Sequence, residues 1–171
     1  MLRHFRMFAD YNRWANARVY EACAALPDAD YRADKGAFFG SAHRTLNHLL
    51  VADRIWMKRI SGTGEAPASL DVILHDDLAG LTAARVAEDE RMIDFLEDLS
   101  ETDLARAITY SNVAGTSHFT QPLTTILAHI FNHQTHHRGQ VHGIITSIGG
   151  LSLVLDLIYF QRSAGERWLA L

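Results

Sequence analysis

His133 and His137 stand four residues apart in the run Phe131-Asn132-His133-Gln134-Thr135-His136-His137-Arg138-Gly139-Gln140. In a helix that spacing stacks two imidazoles one turn apart on one side, the geometry in which both reach a single metal ion. Two ligands do not close a coordination sphere, so a metal would need a third from another element. The same spacing also suits two buried histidines hydrogen-bonded to carbonyls or carboxylates. One chemistry is excluded at once. In HExxH metalloproteases the residue after the first histidine is a glutamate general base, and here it is Gln134, which takes up no proton.

Position around the helix bears on the choice. Projected at about 100° per residue with Ile126 at zero, Ile126, Ile130, Val141, Ile144 and Ile148 fall within about 60°, and Leu127, Phe131 and Ile145 widen the apolar arc to roughly 140°. His133 and His137 land near −20 and +20°, inside the dense part of the stripe, His129 and His136 on the flank near −60 and −80°, and His142 on the opposite side. Burying each imidazole costs of order 1–3 kcal/mol unless its nitrogens find partners, and a shared metal would satisfy both.

The elements that must carry these residues follow from apolar spacing and punctuation. A first helix is predicted from Leu2 to Leu26, ended by Pro27-Asp28, and a second from Ala42 to Ile60, with Ser41 as N-cap and Ser61-Gly62-Thr63-Gly64 as its stop. The second helix is apolar nearly all round and belongs in the centre. It offers His43 and His48 as a third ligand, and periodicity leaves both open. A linker from Ser61 to Ser69 leads to a third helix between Leu70 and Leu99, with an interruption near Gly80. Ala107 to Tyr110 and His118 to Thr120 are predicted to form a small β-hairpin. Pro122 suits the first turn of a fourth helix ending at Ile148, before Gly149-Gly150, and a short last helix covers Leu155 to Arg162. Four main helices with one long connection give an all-α, four-helix bundle.

Composition sets the class. The 171 residues, 48% hydrophobic with three prolines, suit one globular domain over residues 1–171. A formal charge of −4 with scattered lysine and arginine argues against nucleic acid as a partner. Cys23 is the single cysteine, so no internal disulfide forms. The absence of a signal-peptide core and of any apolar run near the ~20 residues of a membrane span points to the cytoplasm and away from membranes.

Three segments resemble the DinB family, also called the YfiT-like metalloenzymes: Tyr11-Asn12-Arg13-Trp14-Ala15-Asn16, Leu46-Asn47-His48-Leu49-Leu50-Val51-Ala52-Asp53-Arg54-Ile55-Trp56, and His129 through Gln140. The resemblance runs from about Phe8 to Phe160. It implies a four-helix bundle holding a divalent transition metal, most often nickel or zinc, on His48, His133 and His137, with His48 chosen over His43 by analogy alone. It also implies a homodimer and, from relatives such as the mycothiol-dependent maleylpyruvate isomerases and bacillithiol transferases, a low-molecular-weight thiol acting on a small-molecule substrate.

Three neutral ligands leave coordination positions open and the ion's charge uncompensated, which favours catalysis over a closed structural site. An open site serves thiol transfer and hydrolysis alike, and the resemblance alone implies, as the expected function, a thiol-dependent S-transferase or isomerase acting on a small electrophile. The alternatives are a metal-dependent hydrolase and a non-catalytic metal-binding protein. Asp53 reads as a carboxylate supporting the site or as a helix salt bridge with Arg54 or Lys58. Arg138 and Gln140 read as braces against the first helix ahead of binders of an anionic group, and Trp14 and Trp56 as core or dimer-contact aromatics.

Overall fold

Four long helices, α1 (Leu2–Ala24), α3 (Ala42–Ser61), α4 (Leu78–Glu97) and α5 (Leu123–Ser147), dominate the computed structural model, which describes residues 1–170. The short α2 (Asp28–Arg32) and α6 (Leu157–Gln161) lie in the connections, with a hairpin of β1 (Ala107–Ser111) and β2 (His118–Pro122) before α5. α1 packs on α4 and α5, and α3 packs on the same two, so α1 faces α3 across one diagonal and α4 faces α5 across the other. This is the all-α bundle with a small hairpin that the apolar spacing predicts.

Local chemistry sets the ends. The Ser41 side chain accepts from the Arg44 amide at 3.2 Å, and Gly62 closes α3 at φ 76°, a left-handed conformation that glycine adopts without strain. The third long helix lies within the predicted stretch, from Leu78 to Glu97, but Gly80 does not interrupt it. Asp77 accepts from the Gly80 amide at 2.7 Å, so the glycine sits in a capped first turn where its missing side chain costs little. Residues 62–77 form one long connection, and the α2 turn between α1 and α3 was not anticipated.

The hairpin is antiparallel with Thr109 opposite Thr120 and Ser111 opposite His118. Arg59 and Arg106 tie it to the end of α3 by donating to the carbonyls of Ser111, at 2.7 Å, and Ile60, at 3.0 Å. Pro122 closes β2 and caps α5, which begins at Leu123.

Beside a small cluster of Met7, Tyr11, Ala15 and Phe160, the apolar core falls into two large ones. One gathers Leu2, Phe5, Met57, Met92, Ile126 and Ile130 at the hairpin end; the other gathers Val19, Leu46, Leu50, Leu81, Val141 and Ile144 at the opposite end. Between them lies a buried polar layer to which every long helix contributes: Asn12 and Asn16, Asp53, Arg85 and Asp89, Gln134 and Arg138. Asp53 accepts from Arg85 at 2.7 Å and from Gln134 at 2.5 Å. Asp89 pairs with Arg85 at 3.0 Å and accepts from Asn12 and Asn16 at 3.1 Å each. Arg138 donates to the side-chain oxygens of Asn12 and Asn16. Two carboxylates and two guanidiniums balance, which is the condition for burying them at all.

These contacts correct one expectation. Asp53 takes Arg85 of a neighbouring helix as its partner rather than Arg54 or Lys58 of its own, because α3 turns its carboxylate into the bundle. Arg138 braces α1, as expected. Among the described residues no helix is long and apolar enough to cross a membrane.

Candidate metal centre

The seam between α3 and α5 brings His48, His133 and His137 together, with one ligating atom of each within 4.8 Å of the others. His48 and His133 oppose their Nε2 atoms at 3.1 Å. Two nitrogens each about 2.1 Å from one ion stand about 3.0 Å apart at a right angle and about 3.4 Å at the tetrahedral angle, so this spacing fits a shared cation. His43 points elsewhere, its ring edge-on to Tyr31 at 5.4 Å.

Two of the three imidazoles have the ring nitrogen away from the cluster held. His48 donates Nδ1–H to the Leu70 carbonyl at 2.8 Å. His137 donates Nδ1–H to Gln140 Oε1 at 2.8 Å, while the Gln140 amide donates to His136 Nε2 at 3.1 Å. Each bond fixes a tautomer that leaves Nε2 with its lone pair facing the cluster, the arrangement that metal-ligating histidines use. Gln140 thus serves the neighbouring imidazoles, not α1 as expected. Phe39, from the loop before α3, stacks on His48 at 3.8 Å and covers one side of the cluster.

Protonation follows from the surroundings. Burial, and after it the imidazoles of His137, His48, His129 and His136, holds His133 down to about 3. Burial also lowers His48, against its bond to Leu70, and His137, against its bond to Gln140. All three are neutral lone-pair donors at pH 7. The residues therefore fit a divalent cation that accepts nitrogen, and the cluster is compatible with metal binding.

A cavity of about 540 Å3 opens beside His48 and His133. Ala52, Ile55, Trp56 and Arg59 of α3 form one wall, and Tyr110, Val113 and Phe119 of the hairpin form another.

The DinB family model matches residues 1–168. The chain belongs to the DinB family. Protein DinB of Bacillus subtilis (strain 168) is 26% identical over 161 residues, covering 89% of this chain and 90% of the relative. The crystal structure of a DinB-like protein from Bacillus cereus ATCC 10987 superposes with a TM-score of 0.66 at 15% identity, over 85% of this chain and 91% of that one, a likeness of fold.

In this DinB-family chain the structure brings together all three histidines named from the resemblance. His133 and His137 lie at the edge of the α5 core stripe, His137 buried and His133 half-buried. Trp56 lines the cavity instead of serving only as packing, whereas Trp14 packs on Tyr11 and Phe160. Phe39 and the Leu70 carbonyl went unforeseen, since a loop aromatic and a backbone oxygen carry no periodic signal.

Proposed function

We propose that this chain binds one divalent transition metal, nickel or zinc, on His48, His133 and His137, and that it is a thiol-dependent S-transferase or isomerase acting on a small electrophile. The observation that carries the reading is the convergence of three neutral imidazoles, two of which, His48 and His137, already have their outer nitrogens tied. When bound, the cation would supply positive charge that favours the thiolate form of a thiol and stabilises developing negative charge.

The chain's own residues do the rest. Leu70 and Gln140 orient the donor nitrogens, and Phe39 shields one face of His48 from water. Among the described residues no carboxylate joins the three-histidine group, so none of them neutralises the cation. The single cysteine cannot be the nucleophile: Cys23 is buried in the core away from the cluster, and burial pushes its thiol up to about 12. The thiol must come from a small molecule, and the cavity beside His48 and His133 has room for the electrophile.

Protein purified without an affinity tag should carry about one equivalent of transition metal, and His133→Ala should carry less than about a tenth. The native protein should then conjugate a low-molecular-weight thiol to a model electrophile, and H133A should not. Native protein with less than about a tenth of an equivalent after reconstitution would remove the metal reading. A loaded protein inactive with every thiol tested would leave metal binding without this catalysis.

A further inference from the structure

The cavity beside the three histidines has a charged far end that the metal reading does not use. His48, Ala52, Ile55, Trp56 and Arg59 all line it from α3. Eleven residues separate His48 from Arg59, which is three helical turns with about 20° of drift, so the two share a face with their Cα atoms about 16 Å apart along the axis. The imidazoles mark one end of an apolar trough and a guanidinium marks the other.

The guanidinium of Arg59 is held and underused. It lies 4.5 Å from the centre of the Trp56 ring and 4.8 Å from that of Tyr110, and those two rings meet edge to face at 5.0 Å. It donates one hydrogen bond, from Nη2 to the Ser111 carbonyl. Among the described residues no carboxylate lies within 4 Å of it. An arginine carries five donors in a planar fork, so a cation fixed by two rings and one carbonyl keeps donors for a ligand. The walls between the two ends are mostly apolar or aromatic, with Asn112 and His129 as the polar groups that also line them. Burial pulls Arg59 below its ordinary value, a cost that an anion beside it would offset.

The geometry points to a small organic carboxylate with an apolar or aromatic body as the ligand class of this cavity, its carboxylate on Arg59 and its body between Ile55, Trp56 and Val113. The assignment of its other end as the reacting end rests on the metal reading above; the anion site itself does not. The carboxylate chemistry is common to an acidic electrophile and to a thiol that carries a carboxylate.

Calorimetric titration with 3-phenylpropionate and its uncharged amide, on both chelator-treated and metal-loaded protein, tests the site. The acid should bind at least about tenfold tighter than the amide in both forms. Arg59→Gln should erase that preference while leaving the circular dichroism spectrum and metal content unchanged, and Arg59→Lys, which keeps charge without the fork, should retain part of it. A purely structural tie to Ser111 would lower stability in R59Q and leave acid and amide indistinguishable in the native protein, which overturns the proposal. So does a preference seen only in the loaded protein that survives R59Q, because the carboxylate would then sit on the cation. Loss of the metal reading with a retained acid preference in chelator-treated protein keeps the two conclusions separate. Displacement of the probe by 3-mercaptopropionate but not by 2-mercaptoethanol assigns the carboxylate to the thiol, and displacement by neither assigns it to the electrophile. Equal displacement by both shows that charge is not being read and overturns the site.

Discussion

Acid should unfold the metal-free protein through its histidines before its carboxylates are exhausted. In the unfolded chain His133 takes up a proton near the ordinary imidazole value of about 6.5, whereas in the fold it stays neutral down to about 3. Between those values the unfolded chain holds more protons, so stability falls as pH drops through that window and is unaffected by this group above it. His48 and His137 are lowered too and act in the same direction. Urea titrations of chelator-treated protein should be flat from pH 8 to 7 and lose stability from about 6.5 downward; H133A should show a shallower loss. A metal-free protein that gains stability between pH 7 and 5 would contradict the burial assigned to these rings. The pair His133 and His137 was legible because two imidazoles stand in an apolar arc at one-turn spacing. His48 needed the family resemblance, since a helix that is apolar nearly all round gives its two histidines no distinguishing phase. Arg59 escaped notice because its meaning depends on Tyr110 and Ser111, which reach it only through the fold of a hairpin.

The long helices were legible from periodicity and caps, and the hairpin from two short β-compatible runs around a turn. The polar layer was not read, although its phase was in view. On the projection that frames His133 and His137, Gln134 falls near 80° and Arg138 near 120°, inside the same apolar arc. Their partners on other helices lie 81 to 126 positions away, Asp53 for Gln134 and Asn12 for Arg138, and such pairing has no local signature. Asp53→Ala should therefore cost about 3–5 kcal/mol, because it strips Arg85 of one of its two carboxylates and leaves a buried charge uncompensated. Asp53→Leu combined with Arg85→Met removes one charge of each sign and should restore much of that loss, since Asp89 and Arg138 still balance. Equilibrium denaturation of the two variants checks both values. The double substitution falling as far as the single one would show that the layer contributes more than charge balance.

The family resemblance implies a homodimer, and the segment after α5 supplies apolar surface for one, with Leu151 74% exposed, Val154 49%, Ile158 42% and Tyr159 52%. Sedimentation at micromolar concentration should give twice the 19.1 kDa of one chain, and Ile158→Asp with Tyr159→Ser should shift the mass toward one chain while leaving the α3–α5 seam unaltered. A native protein that sediments as a single chain would remove the dimer. Within one chain, α5 carries layer residues and candidate ligands side by side, Gln134 next to His133 and Arg138 next to His137. An imidazole nitrogen lies on the order of 6 Å from the helix axis, so a 20° roll of α5 would sweep it sideways by about 2 Å, roughly a full metal–nitrogen bond length. Aim at a shared ion is thus a problem of angular tolerance on a long lever arm. A directional lock of charged hydrogen bonds resists such a roll where interchangeable aliphatic side chains would permit it, so loosening Asn12 or Asn16 on the far helix should blur the coordination at the seam.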